Sequence, residues 1–330
     1  MSGKIKGLFV YLDKVYRDTM KAVILAGGLG TRISEETGVR PKPMVEIGGH
    51  PILWHVMKIL YHQGIDEFII CAGYRQYMIK EYFADYFLHC SDVTFDFKDG
   101  SSTIVHNTNI EKWKVTVVDT GLNTMTGGRL KRIKEYLGDD DFLMTYGDGV
   151  SDVNIAKLLD FHKQHGKMVT VTAVHPVGRF GILGIDGDTV TSFGEKIESD
   201  IDWINGGFMI VNPKALDRID GDETTFEYAP MIGLSNESQL MAYRHEGFWQ
   251  CMDTVKDKKL LEDLWESGKA PWKIWDRDDR LQRQEGPGDR AYGIQGLMAV
   301  RYAGCSWGRG SRIFLGAPYR TQSVQYLQNE

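Results

Sequence analysis

Two basic stretches and two aspartates carry the chemistry open to this sequence. The first stretch, AVILAGGLGTR at Ala22–Arg32, runs from an apolar segment into Gly27, Gly28, Gly30, Thr31 and Arg32. Glycines let a backbone take conformations closed to other residues and come close to a ligand. Successive N–H groups in such a turn form an anion-binding nest. Thr31 adds a hydroxyl, and Arg32 adds a permanently charged, forked donor suited to phosphate oxygens. Farther on, RPKPMVEIGG sets Lys42 between Pro41 and Pro43, which stiffen the backbone and fix its direction. Taken alone, the glycines would equally serve a strand-to-helix turn without a ligand, and Lys42 a solvated loop. Together they point to a phosphorylated small molecule.

Familiar phosphate motifs do not fit. No stretch reads GxxxxGK followed by Ser or Thr, and counting GxGxxG from Gly28 puts Ile33 where the third glycine belongs. That disfavours an NAD-dependent dehydrogenase. Asp148 stands in LMTYGDGV at the end of an apolar run, where a carboxylate could hold Mg²⁺ bridging phosphates. Asp-Gly is equally a common turn dipeptide. Asp253, in FWQCMDTVKDKK, precedes a helical pattern and could be its N-cap. HEGFW at His245 has Trp249 in place of the second histidine of a zinc-binding HExxH. No Ser-His-Asp or Cys-His set stands out.

The elements that must position these residues alternate. KAVILAGG, DEFIICAG and DFLMTYGDG read as buried strands. HPILWHVMKILYHQG, with Gly64 as its stop, QYMIKEYFADYF, and DVNIAKLLDFHKQHG, with Asp152 as its N-cap, read as helices. Continuous apolar strands between amphipathic helices predict an α/β fold: a Rossmann-like, mostly parallel sheet covered by helices on both faces. VTFDF, STIVH and KVTVVD predict antiparallel strands inserted at an edge. GRFGILGIDGDTVTSFGEK and NGGFMIV add hairpin signals, with DGD as a turn.

The whole chain has 330 residues and a net charge of −6, which argues against a nucleic-acid binder while leaving room for a local basic pocket. Its four cysteines form no CxxC pair, as fits a reducing cytoplasm. No apolar stretch approaches the ~20 residues that cross a bilayer, and GLFVYL is a poor secretory signal. Residues 1–19 read as an extension and 20–275 as the main domain. In 276–330 all eight basic residues are arginine, and this Gly/Gln/Arg-rich segment reads as a tail outside the core.

LAGGLGTR followed by RPKPMVEIGG resembles the signature of the sugar-phosphate nucleotidyltransferases. ETGVRPKPMVEIGGHPILWH is most similar to the branch that joins CTP to α-D-glucose 1-phosphate. MTGGRLKR, YGDGVSDV, RFGILGI, WINGGFMIV, GFWQCMDT and GKAPWKIW agree in order, so the resemblance covers about Met20 to Trp275. It implies that Leu25, Ala26, Gly27, Gly28, Leu29, Gly30, Thr31, Arg32 and Lys42 meet the nucleotide, with Asn123, Gly128 and Gly147. It makes Asp148 and Asp253 the carboxylates for Mg²⁺ and Lys196 the group that meets the sugar phosphate, although Ile197 stands where the family usually has proline. Glu195 would orient Lys196 or meet sugar hydroxyls, and Asn205 and Gly206 would let the sugar approach the backbone. Arg32, Lys42 and Lys196 would be the catalytic cations.

The implied reaction gives CDP-glucose and pyrophosphate, for CDP-deoxysugars of bacterial surface polysaccharide such as O-antigen. Its nucleophile, a phosphomonoester with a second pKa near ~6, needs no general base. The resemblance also implies a homo-oligomer, a hexamer built through the inserted strands. The competing expectations are a uridylyl- or thymidylyltransferase and a catalytically silent sugar-nucleotide-binding regulator.

Overall fold

The computed structural model describes residues 20–98, 102–106, 110–175, 182–194 and 203–276. Glu195, Lys196 and Ile197 lie outside the described residues, as do the 1–19 extension and the tail beyond Asp276.

In chain order the principal elements are β1 (Lys21–Ala26), α1 (Ile52–His62), β2 (Glu67–Ala72), α2 (Gln76–Ala84), β3 (Asp92–Asp96), β4 (Ser102–His106), β5 (Lys114–Asp119), α3 (Thr126–Arg132), β6 (Phe142–Tyr146), β7 (Gly149–Ser151), α4 (Ile155–His165) and β8 (Val169–Val174). There follow β9 (Ile182–Asp186), β10 (Thr189–Gly194), β11 (Ile204–Asn205), β12 (Met209–Val211), α5 (Ala229–Asn236), β13 (Leu240–His245), β14 (Trp249–Cys251) and α6 (Val255–Glu266). Ten strands form one sheet in the order β11-β9-β10-β13-β8-β12-β6-β1-β2-β5.

β1 lies parallel to both β2 and β6. Its residues alternate between two cores, as a doubly covered strand requires. Ala22, Ile24 and Ala26 join Leu53 and Val56 of α1 and Leu158 of α4. Val23 and Leu25 join Leu130 of α3 and Leu234 of α5. The C-terminal ends of β1, β2 and β6 therefore open side by side, where open α/β sheets bind ligands.

Three sequence expectations need correction. KVTVVD is not an inserted antiparallel strand: it is β5, parallel to β2 at the end of the main sheet. Of the three segments, β3 and β4 do pair antiparallel apart from the main sheet. The NGGFMIV segment supplies β12, which lies antiparallel between β6 and β8, alongside the parallel strands β1, β2, β5 and β6. Asn154, whose Oδ1 accepts from Lys157 N at 2.9 Å, caps α4. Asp152 instead accepts from Phe248 N at 2.8 Å. Thr254, not Asp253, caps α6, in a capping box with Asp257. The other punctuation holds: Gly64 (φ 96°) follows the end of α1, and Gly187 (φ 59°) turns the β9–β10 hairpin.

Candidate active site

The glycine loop leaves β1 with its carbonyls tied to protein. Gly27 O accepts from Tyr74 N at 3.2 Å and from Arg129 Nη2 at 3.1 Å. Gly30 O accepts from Thr37 Oγ1 at 3.0 Å. Across a trans peptide the next N–H points the opposite way. The amides of Gly28 and Thr31 therefore turn away from those anchors, and both residues line a cleft of about 290 Å³. A Cβ on Gly27 would lie 2.1 Å from Arg129 Nη1, so this glycine is fixed by close approach. Gly30 adopts φ +65°, which favours glycine directly.

Lys42 begins a single 3₁₀ turn, Lys42–Met44, with Pro41 ahead of it and Pro43 buried behind. This turn aims the lysine into the cleft, where its side chain is only 12% exposed. The two aspartates come from a second device. β7 and β14 pair antiparallel, Gly149 opposite Cys251, and Met252 N donates to Asp148 O at 2.8 Å. That short ladder sets Asp148 and Asp253 side by side. Asp253 N is itself held by Asp257 Oδ2 at 3.2 Å.

The charges then close on one another. Lys42 Nζ donates to Asp148 Oδ2 at 2.6 Å and also to Asp253 Oδ1. Arg32 Nη1 donates to Asp253 Oδ2 at 2.5 Å. Burial alone would lower the Lys42 pKa, but the two carboxylates outweigh it and raise the value above the ordinary lysine range. Burial would raise that of Asp253, and Lys42 and Arg32 instead hold it below the usual carboxylate value.

Two carboxylate oxygens converging on one cation suit a hard divalent ion, which takes oxygen ligands and leaves positions for phosphate and water. No group of three or more His, Cys, Asp or Glu that could hold a metal occurs among the described residues. The remaining ligands for such an ion would therefore come from substrate and solvent.

The nucleotidyl transferase family matches residues 21–254. The chain is 60% identical over 258 residues to a glucose-1-phosphate cytidylyltransferase of Salmonella typhi, covering 78% of this chain and all of that protein. It is 43% identical over 257 residues to a probable glucose-1-phosphate cytidylyltransferase of Bacillus subtilis, with the same coverage. This chain belongs to the nucleotidyl transferase family.

Among solved structures, HddC of Yersinia pseudotuberculosis, complexed with GMP-PN, has 25% identity and a TM-score of 0.58, covering 75% of this chain and all of that one. A UDP-glucose pyrophosphorylase complexed with UDP-glucose shares the fold, with a TM-score of 0.59, 16% identity and coverage of 76% and 99%.

In this nucleotidyltransferase, Leu25, Ala26, Gly28, Gly30, Thr31, Arg32, Lys42, Gly147, Asp148 and Asp253 all line the cleft, with Pro43 and Tyr146. Leu29 sits exposed on the loop. Asn123 is exposed on the loop after β5, whose Gly121 and Leu122 carbonyls accept from Arg129, the same guanidinium that holds Gly27. Gly128 packs elsewhere: a Cβ there would lie 2.5 Å from Asp222 Cα. Gly206 likewise lacks room because of Val174, whose Cγ1 would lie 2.7 Å away.

Beside the cleft, Asn205 Nδ2 donates to Tyr146 Oη at 3.3 Å, and Tyr146 Oη donates to Glu227 Oε1 at 2.5 Å. Trp249 Nε1 donates to Gly206 O at 2.7 Å.

Sequence reasoning missed Arg129, Tyr74, Tyr146 and Glu227. Arg129 was within reach, since MTGGRLKR was singled out as a motif. Its five hydrogen bonds to Ala72, Thr120, Gly121, Gly27 and Leu122 depend on three strand ends meeting. No local pattern announces that.

Proposed function

We propose that this nucleotidyltransferase moves the cytidylyl group of CTP to α-D-glucose 1-phosphate, giving CDP-glucose and pyrophosphate. The observation that carries the reading is the closed set of charges at the cleft floor, Lys42 between Asp148 and Asp253 with Arg32 outside. Such a set is poised to exchange internal partners for phosphate.

The amides of Gly28 and Thr31 receive the triphosphate. Arg32, whose side chain is 72% exposed, turns to the departing pyrophosphate. Lys42 stabilises charge gathering at the α-phosphate. Lys196 places the attacking phosphate, and Glu195 supports it. Asp148 and Asp253 would hold Mg²⁺, which when bound neutralises phosphate charge. The nucleophile is already ionised, so positioning and charge neutralisation account for the catalysis.

The 60% identity to an enzyme named for this reaction supports CTP and glucose over UTP, dTTP or another hexose. A place in CDP-deoxysugar and O-antigen synthesis follows from the same resemblance. Unbridged Cys71, Cys90 and Cys251 support a cytoplasmic setting, and no helix among the described residues is long and apolar enough to cross a membrane. The β3–β4 hairpin, with Phe95 and Ile104 exposed, supports assembly of copies into an oligomer, such as a hexamer.

The test is pyrophosphate release with glucose 1-phosphate and each of four nucleoside triphosphates. CTP should exceed the others by at least ~100-fold in kcat/KM, the scale set by a hydrogen-bonded base site. Preference for UTP or dTTP would overturn the base assignment, and no turnover with any of the four would favour the regulator.

A further inference from the structure

Arg75 follows β2 with φ 47° and ψ 36°. Among the described residues only Phe208 and Ser238 share a positive φ without being glycine. Glycine would take this backbone freely, so an arginine there is held by what its side chain does.

The guanidinium is committed to main chain from another segment. Nη2 donates to Gly38 O at 2.6 Å and Nη1 to Val39 O at 2.9 Å. Nε donates to Tyr74 Oη at 2.8 Å, and that hydroxyl donates to Thr37 O at 3.2 Å. One Tyr-Arg pair thus holds three successive carbonyls. Tyr74 N also donates to Gly27 O. A single turn after β2 therefore grips the start of the phosphate loop and the far end of the strap that runs from Arg32 to Lys42. At its start the strap is anchored by buried Ile33 and by the Arg32–Asp253 contact. Farther on, Thr37 bonds to Gly30 O, and Glu36 and Arg40 make ion pairs with Lys258 and Glu46. Around Val39, which is 62% exposed, the Tyr74 and Arg75 donors are what hold the main-chain carbonyls.

We propose that Arg75 is a positioning residue that latches this strap and thereby fixes Arg32 relative to Lys42 before the triphosphate arrives. Unlatched, the strap would sample open arrangements, and binding would have to reorder it. The penalty would fall on nucleotide affinity, because the groups at the reacting phosphate are unchanged once the complex forms. Lysine cannot replace the fork, since one ammonium does not span two carbonyls in a planar arrangement. The identity of the nucleotide rests on the function proposed above; the latch itself does not.

The experiment compares Arg75→Gly and Arg75→Lys with the parent protein. Arg75→Gly removes the guanidinium and relieves the backbone, so its melting temperature should stay at or above that of the parent. Its KM for CTP should rise at least ~10-fold while kcat and the KM for glucose 1-phosphate change less than about threefold. Arg75→Lys should fall between. Amide exchange at residues 37–40 should quicken in free Arg75→Gly and slow again with CTP bound.

A folded Arg75→Gly with the parent's KM for CTP overturns the latch. So does exchange at residues 37–40 that matches the parent, or an equal loss across both substrates and kcat. If the parent itself ignores CTP, the substrate assignment fails, and the exchange measurement alone decides the latch.

Discussion

Lys42 is the residue on which the cleft turns. It neutralises two carboxylates at once, and its removal leaves Asp148 and Asp253 side by side with Arg32 still paired to Asp253. Lys42→Ala or Asp148→Ala should lower kcat at least ~100-fold, the range for loss of one charge-stabilising group. Pyrophosphate release, with circular dichroism to confirm the fold, checks this; near-parent turnover in either variant would refute the mechanism.

His55 gives a residue-scale prediction about stability. It is fully buried in α1, its Nε2 donates to Ile47 O at 2.8 Å, and its Nδ1 accepts from Trp272 Nε1 at 3.4 Å. Burial pushes its pKa down to about 4, below an unfolded value near ~6.5. The neutral ring therefore stabilises the fold above pH ~6.5, and that stability is lost as pH falls from ~6.5 through ~4. Between pH ~6.5 and ~4.5 the expected loss from this group is about 2 kcal/mol. Urea unfolding of His55→Gln should show a pH dependence flatter by that amount; an unchanged slope would mean other groups govern it.

At the scale of elements, the site is an agreement between turns. The β1 loop supplies amides, the 3₁₀ turn aims Lys42, and the β7–β14 ladder supplies both carboxylates. Arg129 on α3 joins the exits of β1, β2 and β5 through Gly27, Ala72 and Gly121. Arg129→Met should remove all five of its hydrogen bonds, at roughly 1 kcal/mol each, although Gly27 O keeps Tyr74 N and Ala72 O keeps Thr120 N. A fall of at least ~3 kcal/mol in unfolding free energy is expected, together with faster amide exchange in the Gly27–Arg32 loop. A variant as stable as the parent would show that the carbonyls find water instead.

For the whole molecule, β1 to α6 already enclose both cores, and Trp272 closes the first of them near the end of the described chain. Removal of residues 276–330 should leave turnover within about threefold of the parent, since residues between Leu25 and Asp253 line the cleft. Complete loss of activity would assign that segment to the working fold. Light scattering on the parent and on a variant with Phe95→Ser and Ile104→Ser tests assembly through the β3–β4 hairpin. The parent should exceed 37.4 kDa and the variant should approach it; identical masses would move the interface elsewhere.

Much of this was written locally. Apolar periods placed β1, β2, β6, α1 and α4, and the residue types in AVILAGGLGTR and RPKPM marked a phosphate loop with a braced lysine. Those features depend on neighbours in sequence, where backbone propensity and side-chain alternation act directly. Tertiary structure decided what lies far apart along the chain. It brought Asp148 and Asp253 together on Lys42, at sequence separations of 106 and 211 from it. It turned KVTVVD from an insertion into a parallel sheet strand. It also gave Gly128 and Gly206 packing neighbours in Asp222 and Val174. A strand's period does not name its partner or direction, and a glycine does not say whether a ligand or the protein's own backbone needs the space. Those choices belong to the energy of packing the two cores, which only the folded chain expresses.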